Sequence, residues 1–200
     1  VEHSFDYAVT WTGNVFGDLE TTIGINGFRQ SGNPYSYTYR GDMSGYRTDG
    51  ENIEILYIPK VNDPNVLYGD DFDAAAFDQF LTDSGLSAYR GSVVPRNSFN
   101  GPWEGTFDLR IAQEIPSGSI AGKAIIYFDI KNVLNFLNSD WGGFENYNGN
   151  GTTNTRGIVE AAVDDQGRYV YNKFKVSDQN PIQKIDKSVW QIKVGVKYQF

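Results

Sequence analysis

The chain has 200 residues, 40% hydrophobic and 21% charged, with a net charge of −8, a single histidine and no cysteine. Without cysteine there are no disulfides, zinc–thiolate sites or cysteine nucleophiles, and His3 alone leaves almost nothing for a Ser-His-Asp triad or a two-histidine metal site. The acidic balance, with no cluster of Lys or Arg, argues against a nucleic-acid partner.

The apolar residues are spread singly. No run reaches the roughly 18 residues of a transmembrane helix, but a membrane barrel strand needs only about 10 residues, half of them facing lipid. The chain opens on VEHSFDYAV, already alternating and with no leader pattern, so a mature protein or a piece of a longer one is expected.

Five segments alternate with a period of two, the mark of a strand. SFDYAVTWT places Phe5, Tyr7, Val9 and Trp11 on one face and Ser4, Asp6, Ala8 and Thr10 on the other, and TGNVFG is predicted to turn the chain. DLETTIGIN follows, with Leu19, Thr21, Ile23 and Ile25 opposite Glu20, Thr22, Gly24 and Asn26; it is expected to continue past Gly32-Asn33-Pro34 into YSYTY. A long connection then runs from about Arg40 to Glu104. Within it, DDFDAAAFDQFLTDSG reads as a short helix capped by Asp71 and ended by Gly85, with Phe72, Ala76, Phe77, Phe80 and Leu81 on one side.

The third strand is TFDLRIAQ, and EIPSGS makes a short turn into the fourth, IAGKAIIYFDI. A second long connection, from about Asn132 to Lys187, contains a hairpin, IVEAAV–DDQG–RYVYNKFKV, turned at Asp165-Gln166-Gly167. SVWQIKVGVKYQF closes the chain: Trp190, Ile192, Val194, Val196, Tyr198 and Phe200 alternate with Gln191, Lys193, Gly195, Lys197 and Gln199.

Alternation suits a soluble sandwich as well as a membrane barrel. Three features favour lipid. Aromatic residues bracket the closing stripe, as in the interfacial girdles of barrels. From Trp190 to Phe200 there are about 11 residues, which at about 3.3 Å each and a tilt of about 40° cover roughly the 25 Å apolar band. The apolar faces of four strands carry no formal charge, where Lys or Arg would cost about 2–4 kcal/mol at mid-bilayer. Short turns at one end and long connections at the other complete the layout of an outer-membrane barrel. The fold class expected is therefore all-β: an antiparallel transmembrane β-barrel segment of five long strands, with short periplasmic turns, two long extracellular loops and one loop helix.

Particular stretches resemble a known family. SGNPYSYTYRGD, ILYIPK, YRGSVVPRNSFNGPWEGTFDLRIAQEIP, FDIKNVLNFLNSDWG and the closing SVWQIKVGVKYQF, in that order, resemble the C-terminal part of the β-barrel of TonB-dependent outer-membrane receptors of the Oar-like group. The Arg-Asn-Ser-Phe…Gly-Pro-Trp and Asn-Val-Leu-Asn stretches carry most of the specificity. The resemblance implies a barrel of about 22 strands with a plugged lumen in the bacterial outer membrane. It implies that the plug and the earlier strands lie elsewhere in the receptor. It also implies a partnership with TonB through the plug, no cofactor, no enzymatic chemistry and a transported ligand that the sequence does not name. Trp190, Tyr198 and Phe200 would form the C-terminal signal read by the barrel assembly machinery.

Several residues stand out as candidates. Tyr89, Arg90, Arg96, Asn97, Trp103 and Trp141 could meet ligand in the extracellular mouth, or tie the long loops to the rim. Asp108, Arg110, Lys123, Asp129, Lys193 and Lys197 would face the lumen. Asp42, Asp49, Glu51 and Asn52, in GDMSGYRTDGEN, offer oxygen ligands for a cation, but their spacing matches no EF-hand loop and a solvated turn accounts for them. The acid pairs Asp70-Asp71 and Asp164-Asp165 lie in Gly-containing turns, where solvation rather than glycosidase chemistry explains them. The rival readings are a soluble β-sandwich module for carbohydrate binding or adhesion, a passive porin, and a small-barrel outer-membrane enzyme.

Overall fold

The computed structural model describes residues 2–43, 54–116, 118, 122–146, 154–176, 182–183 and 185–199. Asp49, Glu51, Asn52 and Phe200 lie outside the described residues. In chain order the elements are β1 (Ser4–Phe16), β2 (Leu19–Gln30), β3 (Pro34–Tyr39), β4 (Tyr57–Ile58), β5 (Val66–Tyr68), α1 (Ala74–Asp83), a 3-10 turn (Leu86–Tyr89), β6 (Ser92–Val93), β7 (Phe99–Asn100), β8 (Glu104–Ile115), β9 (Lys123–Lys131), α2 (Val133–Leu137), β10 (Glu145–Asn146), β11 (Thr155–Val163), β12 (Tyr169–Phe174), β13 (Ile182–Gln183), α3 (Ile185–Ser188) and β14 (Gln191–Gln199). Strand dominates, as the alternation predicts. No helix among the described residues is long and apolar enough to cross a membrane.

The chain divides into two compact units, one made of Val1–Gly32, Pro102–Glu145 and Gln183–Phe200, the other of Asn33–Gly101 and Asn146–Ile182. The first unit holds an antiparallel sheet in the order β1-β2-β8-β9-β14. These are the five strands read from the sequence. The sheet is open, with β1 and β14 at its edges.

Its register puts like residues in rows. One apolar row runs Val9–Ile25–Leu109–Ile130–Ile192 and the next Trp11–Ile23–Ile111–Phe128–Val194. On the opposite face the row Thr10–Gly24–Arg110–Asp129–Lys193 is polar. Side chains directly across a ladder share a face, so the apolar positions form one continuous band. That band is open: Ile192, Val194 and Val196 are 45%, 55% and 67% exposed.

The first two strands outrun their prediction. TGNVFG is mostly strand, because Thr12, Gly13 and Asn14 continue to pair with Thr22, Thr21 and Glu20, and the turn tightens to Gly17-Asp18. The expected run from β2 into YSYTY also fails. β2 stops at Gln30, where the Ser31 hydroxyl accepts the N–H groups of Glu2 and His3 at 2.9 and 3.1 Å and its own N–H donates to the His3 carbonyl at 2.9 Å. β3 belongs to the other unit.

The second unit folds what read as two long loops. Its sheet runs β5-β12-β11-β3-β7. β11 and β12 form the predicted hairpin, while β3 lies parallel to β11 and β5 parallel to β12. Parallel neighbours need long connections and are buried on both faces in typical folds. Here Tyr37, Tyr39, Leu56, Ile58, Ile158, Val159 and Tyr171 are almost wholly enclosed.

α1 closes part of this core with Phe77 and Leu81, and the Phe77 ring meets Tyr171 edge-on at 6.0 Å. Its cap is Asp73 rather than Asp71: the Asp73 carboxylate accepts the Ala76 N–H at 2.9 Å. Ala76, expected on the buried side, is exposed, because the helix turns inward only along Phe77, Phe80 and Leu81.

Candidate functional site

The polar face of the long sheet carries all six residues expected to face a lumen. Arg110 and Asp129 are register partners and pair at 3.1 Å, and the Arg110 guanidinium also lies 4.6 Å from the centre of the Tyr127 ring. Tyr127 in turn rests over Gly195, where any side chain would collide with its ring. Lys123 pairs with Glu114 at 3.5 Å. Asp108 accepts the Asn132 N–H at 2.9 Å. Lys193 and Lys197 are exposed along β14, and Lys193 stands opposite Asp129. Acids concentrate on β1, β2 and β8 (Asp6, Glu20, Asp108, Glu114) and lysines on β9 and β14 (Lys123, Lys131, Lys193, Lys197).

Trp103, Phe5 and Arg29 gather where β1 and β8 begin and β2 ends. The Trp103 ring stacks with those of His3 and Phe5 at 6.3 and 6.2 Å, and Arg29 lies 5.8 Å from its centre. At the start of β14, Trp190 meets Phe136 edge-on at 5.1 Å and is exposed. Tyr198 is exposed near the other end of the strand.

FDIKNVLNFLNSDWG has a definite local job. Asn132 sits in the left-handed region at φ 50°, caps α2, and its side-chain amide donates to the carbonyls of Gly142 and Ser188 at 2.9 and 2.6 Å. Asn135 donates to the carbonyls of Ser139 and Trp141 at 2.9 and 3.0 Å, and the Ser188 hydroxyl accepts the Phe144 N–H at 2.9 Å. Two asparagines and one serine thus hold the loop that carries Trp141.

That loop and the start of β8 enclose an open cavity of about 360 Å³, lined among others by Arg29, Trp103, Glu104, Asp140, Trp141 and Glu145. A scan against family models finds no match, and searches among curated proteins and solved structures find none either.

The candidate mouth residues divide between the two units. Trp103 and Trp141 share the cavity in the first unit. Tyr89, Arg90, Arg96 and Asn97 belong to the second. There Arg90 pairs with Asp78 and donates to the Pro59 carbonyl at 3.1 Å, Tyr89 packs on Phe99, and Asn97 exchanges hydrogen bonds with Ser36. Arg96 is exposed. Arg90, Tyr89 and Asn97 thus make contacts within the second unit.

Asp63 carries no signal in the sequence, and Asp164 reads there only as half of a solvated acid pair. The Asp63 carboxylate accepts the Tyr57 hydroxyl and the N–H groups of Lys60 and Asn65. Burial alone would raise its pKa, but these donors outweigh it and hold the carboxyl below its ordinary value. In the β11–β12 turn, the Arg168 N–H, with the Arg168 guanidinium and the Gln166 N–H, holds Asp164 low against a smaller desolvation effect. Burial pushes the hydroxyls of Tyr39 and Tyr171 far above the usual phenol range, so both remain neutral hydrogen-bonding core groups. Asp42, at the end of the first described stretch, joins no cluster of three metal-ligating side chains among the described residues.

Proposed function

We propose that this chain is the barrel-wall segment of a TonB-dependent receptor that takes up a ligand across the bacterial outer membrane. The observation that carries the proposal is the two-faced long sheet. An uninterrupted apolar band crosses five strands and stands open, while the reverse face bears the charges. In water such a band would be an unmatched liability; against hydrocarbon it is the stable arrangement. Aromatic rings at the strand ends fit the two interfaces. β1 and β14 then pair with the strands missing from this sheet, which removes its edges.

In this assignment the polar face looks onto the plug, and TonB acts through that plug to admit ligand. The assembly machinery reads the closing aromatic strand. A β-sandwich module would need a second layer over Ile192, Val194 and Val196, whose exposure speaks against it.

The test uses nitroxide labels in the full-length receptor reconstituted into lipid. Labels at 192, 194 and 196 should be relaxed by oxygen and shielded from a water-soluble nickel complex, with the opposite pattern at 193 and 197. Equal access of the nickel complex to both sets would overturn the assignment.

A further inference from the structure

The cavity beside Trp141 has a chemical character that points to one class of ligand. Its size, about 360 Å³, falls at the small end of the roughly 300–1,000 Å³ typical of ligand pockets. Trp103 and Trp141 both line it and both are exposed; the Trp103 ring is already stacked with His3 and Phe5, which leaves the Trp141 indole as the stacking face. Around them stand three carboxylates, Glu104, Asp140 and Glu145, against one guanidinium, Arg29.

That balance repels anions: a ferric catecholate, a phosphate ester or an acidic peptide would meet like charge in a partly desolvated site. The guanidinium, itself drawn to Trp103, opposes a simple cation. A neutral ligand rich in hydroxyls satisfies every wall. Its C–H face lies on the Trp141 indole and its hydroxyls donate to the carboxylates and accept from Arg29.

The floor is also prepared in advance. Gly142, at φ 64°, lines the cavity, and the Asn132 side-chain amide occupies the space a β-carbon there would take. The bonds from Asn132 and Asn135 hold the Trp141 loop without help from a ligand, which lowers the ordering cost of binding.

We propose that this cavity binds a short stretch of neutral glycan, with Trp141 as the stacking platform, Trp103 forming the wall beside it, and Asp140, Glu104 and Glu145 as hydroxyl acceptors. The proposal deepens the uptake reading and rests on it only for where the glycan goes after binding.

The experiment is calorimetric titration of the purified full-length receptor in detergent with maltohexaose, cellohexaose, xylohexaose and chitohexaose at millimolar concentration, beside a galacturonate hexamer. At least one neutral hexamer should bind, and more tightly than the galacturonate. Trp141→Ala should weaken that binding about tenfold or more, a change of about 1.4 kcal/mol, and Trp141→Phe should restore most of it. Heat-modifiable migration on gels shows that each variant is folded. Failure of all four neutral hexamers to bind folded receptor, tighter binding of galacturonate, or an affinity indifferent to Trp141→Ala would overturn the proposal. Membrane fractionation of the same preparations keeps the two readings apart. A receptor found in the outer membrane that binds no glycan sinks only the ligand class, and a soluble protein that binds glycan sinks only the barrel.

Discussion

Val194 stands in the middle of β14 with more than half its surface open, whereas Val159, in the middle of β11, has none. Both belong to five-stranded sheets of one chain. The second unit encloses an apolar core of its own, under its helix and cross-packed tyrosines. The long sheet leaves apolar residues such as Val9, Ile192, Val194 and Val196 exposed. Burial by a protein's own atoms stabilises in water, while a uniform open stripe has value only where the surroundings are also apolar. One chain thus carries two solutions to the same hydrophobic effect, and the difference between them can be measured.

The largest effect should come from the enclosed side. Leu81→Ala in α1 should cost the second unit about 2–5 kcal/mol, read as a lower unfolding midpoint, because Leu81 is fully buried. Ile192→Ala in aqueous detergent should cost far less. Equal losses would erase the contrast.

The next test strikes the open side. Val194→Arg should cost about 2–4 kcal/mol in lipid if the residue lies near the bilayer centre, measured as the equilibrium folded fraction in liposomes of graded urea content. In a water-facing sheet the same change would be nearly neutral, and that result would remove the contrast altogether. Asn132→Ala should follow at about 1–3 kcal/mol. It leaves the Gly142 and Ser188 carbonyls without their donor and puts alanine at a positive φ. Protease cleavage near Trp141, with the sheet intact, is the readout.

The smallest effect is one of pH. Asp63 and Asp164 have folded-state pKa values below their ordinary ones. Their contribution is therefore complete above the ordinary carboxylate value of about 4 and is lost as pH falls through the folded values. The midpoint of the second unit should drop on acidification below about pH 4, and Asp164→Asn should flatten part of that drop. A midpoint that rises on acidification would contradict the sign.

The five long strands could be read from the sequence because each repeats a two-residue period over most of its length, and pairing extended β1, β2 and β8 by a few residues. Asn14 shows how: it is no strand former, yet its ladder partner Glu20 carries it. The second unit was illegible for the opposite reason. β4, β6 and β7 are two residues long, and β5 three, too short to show any period. Its decisive contact, β3 beside β11, joins residues such as Tyr37 and Arg156 that are far apart in the chain. The helix could be read, and its cap misplaced by two residues, because DDFD offers several carboxylates and only the backbone path selects Asp73. Of the site, Trp103 and Trp141 were chosen individually, but nothing local says that they share a cavity while Arg90 and Asn97 do not.

The parallel pairing of β3 with β11 reaches beyond stability. Each strand comes from a different excursion of the chain, one between β2 and β8 and the other between β9 and β14. Neither excursion can therefore be exchanged, shortened or shuffled between relatives alone without stripping its counterpart of neighbours. During synthesis the unit also waits for its later half, so four of the five long strands have been made before its sheet can close. Variation among homologous proteins in these regions should come in matched pairs, inherited together although β8 and β9 lie between them in the chain.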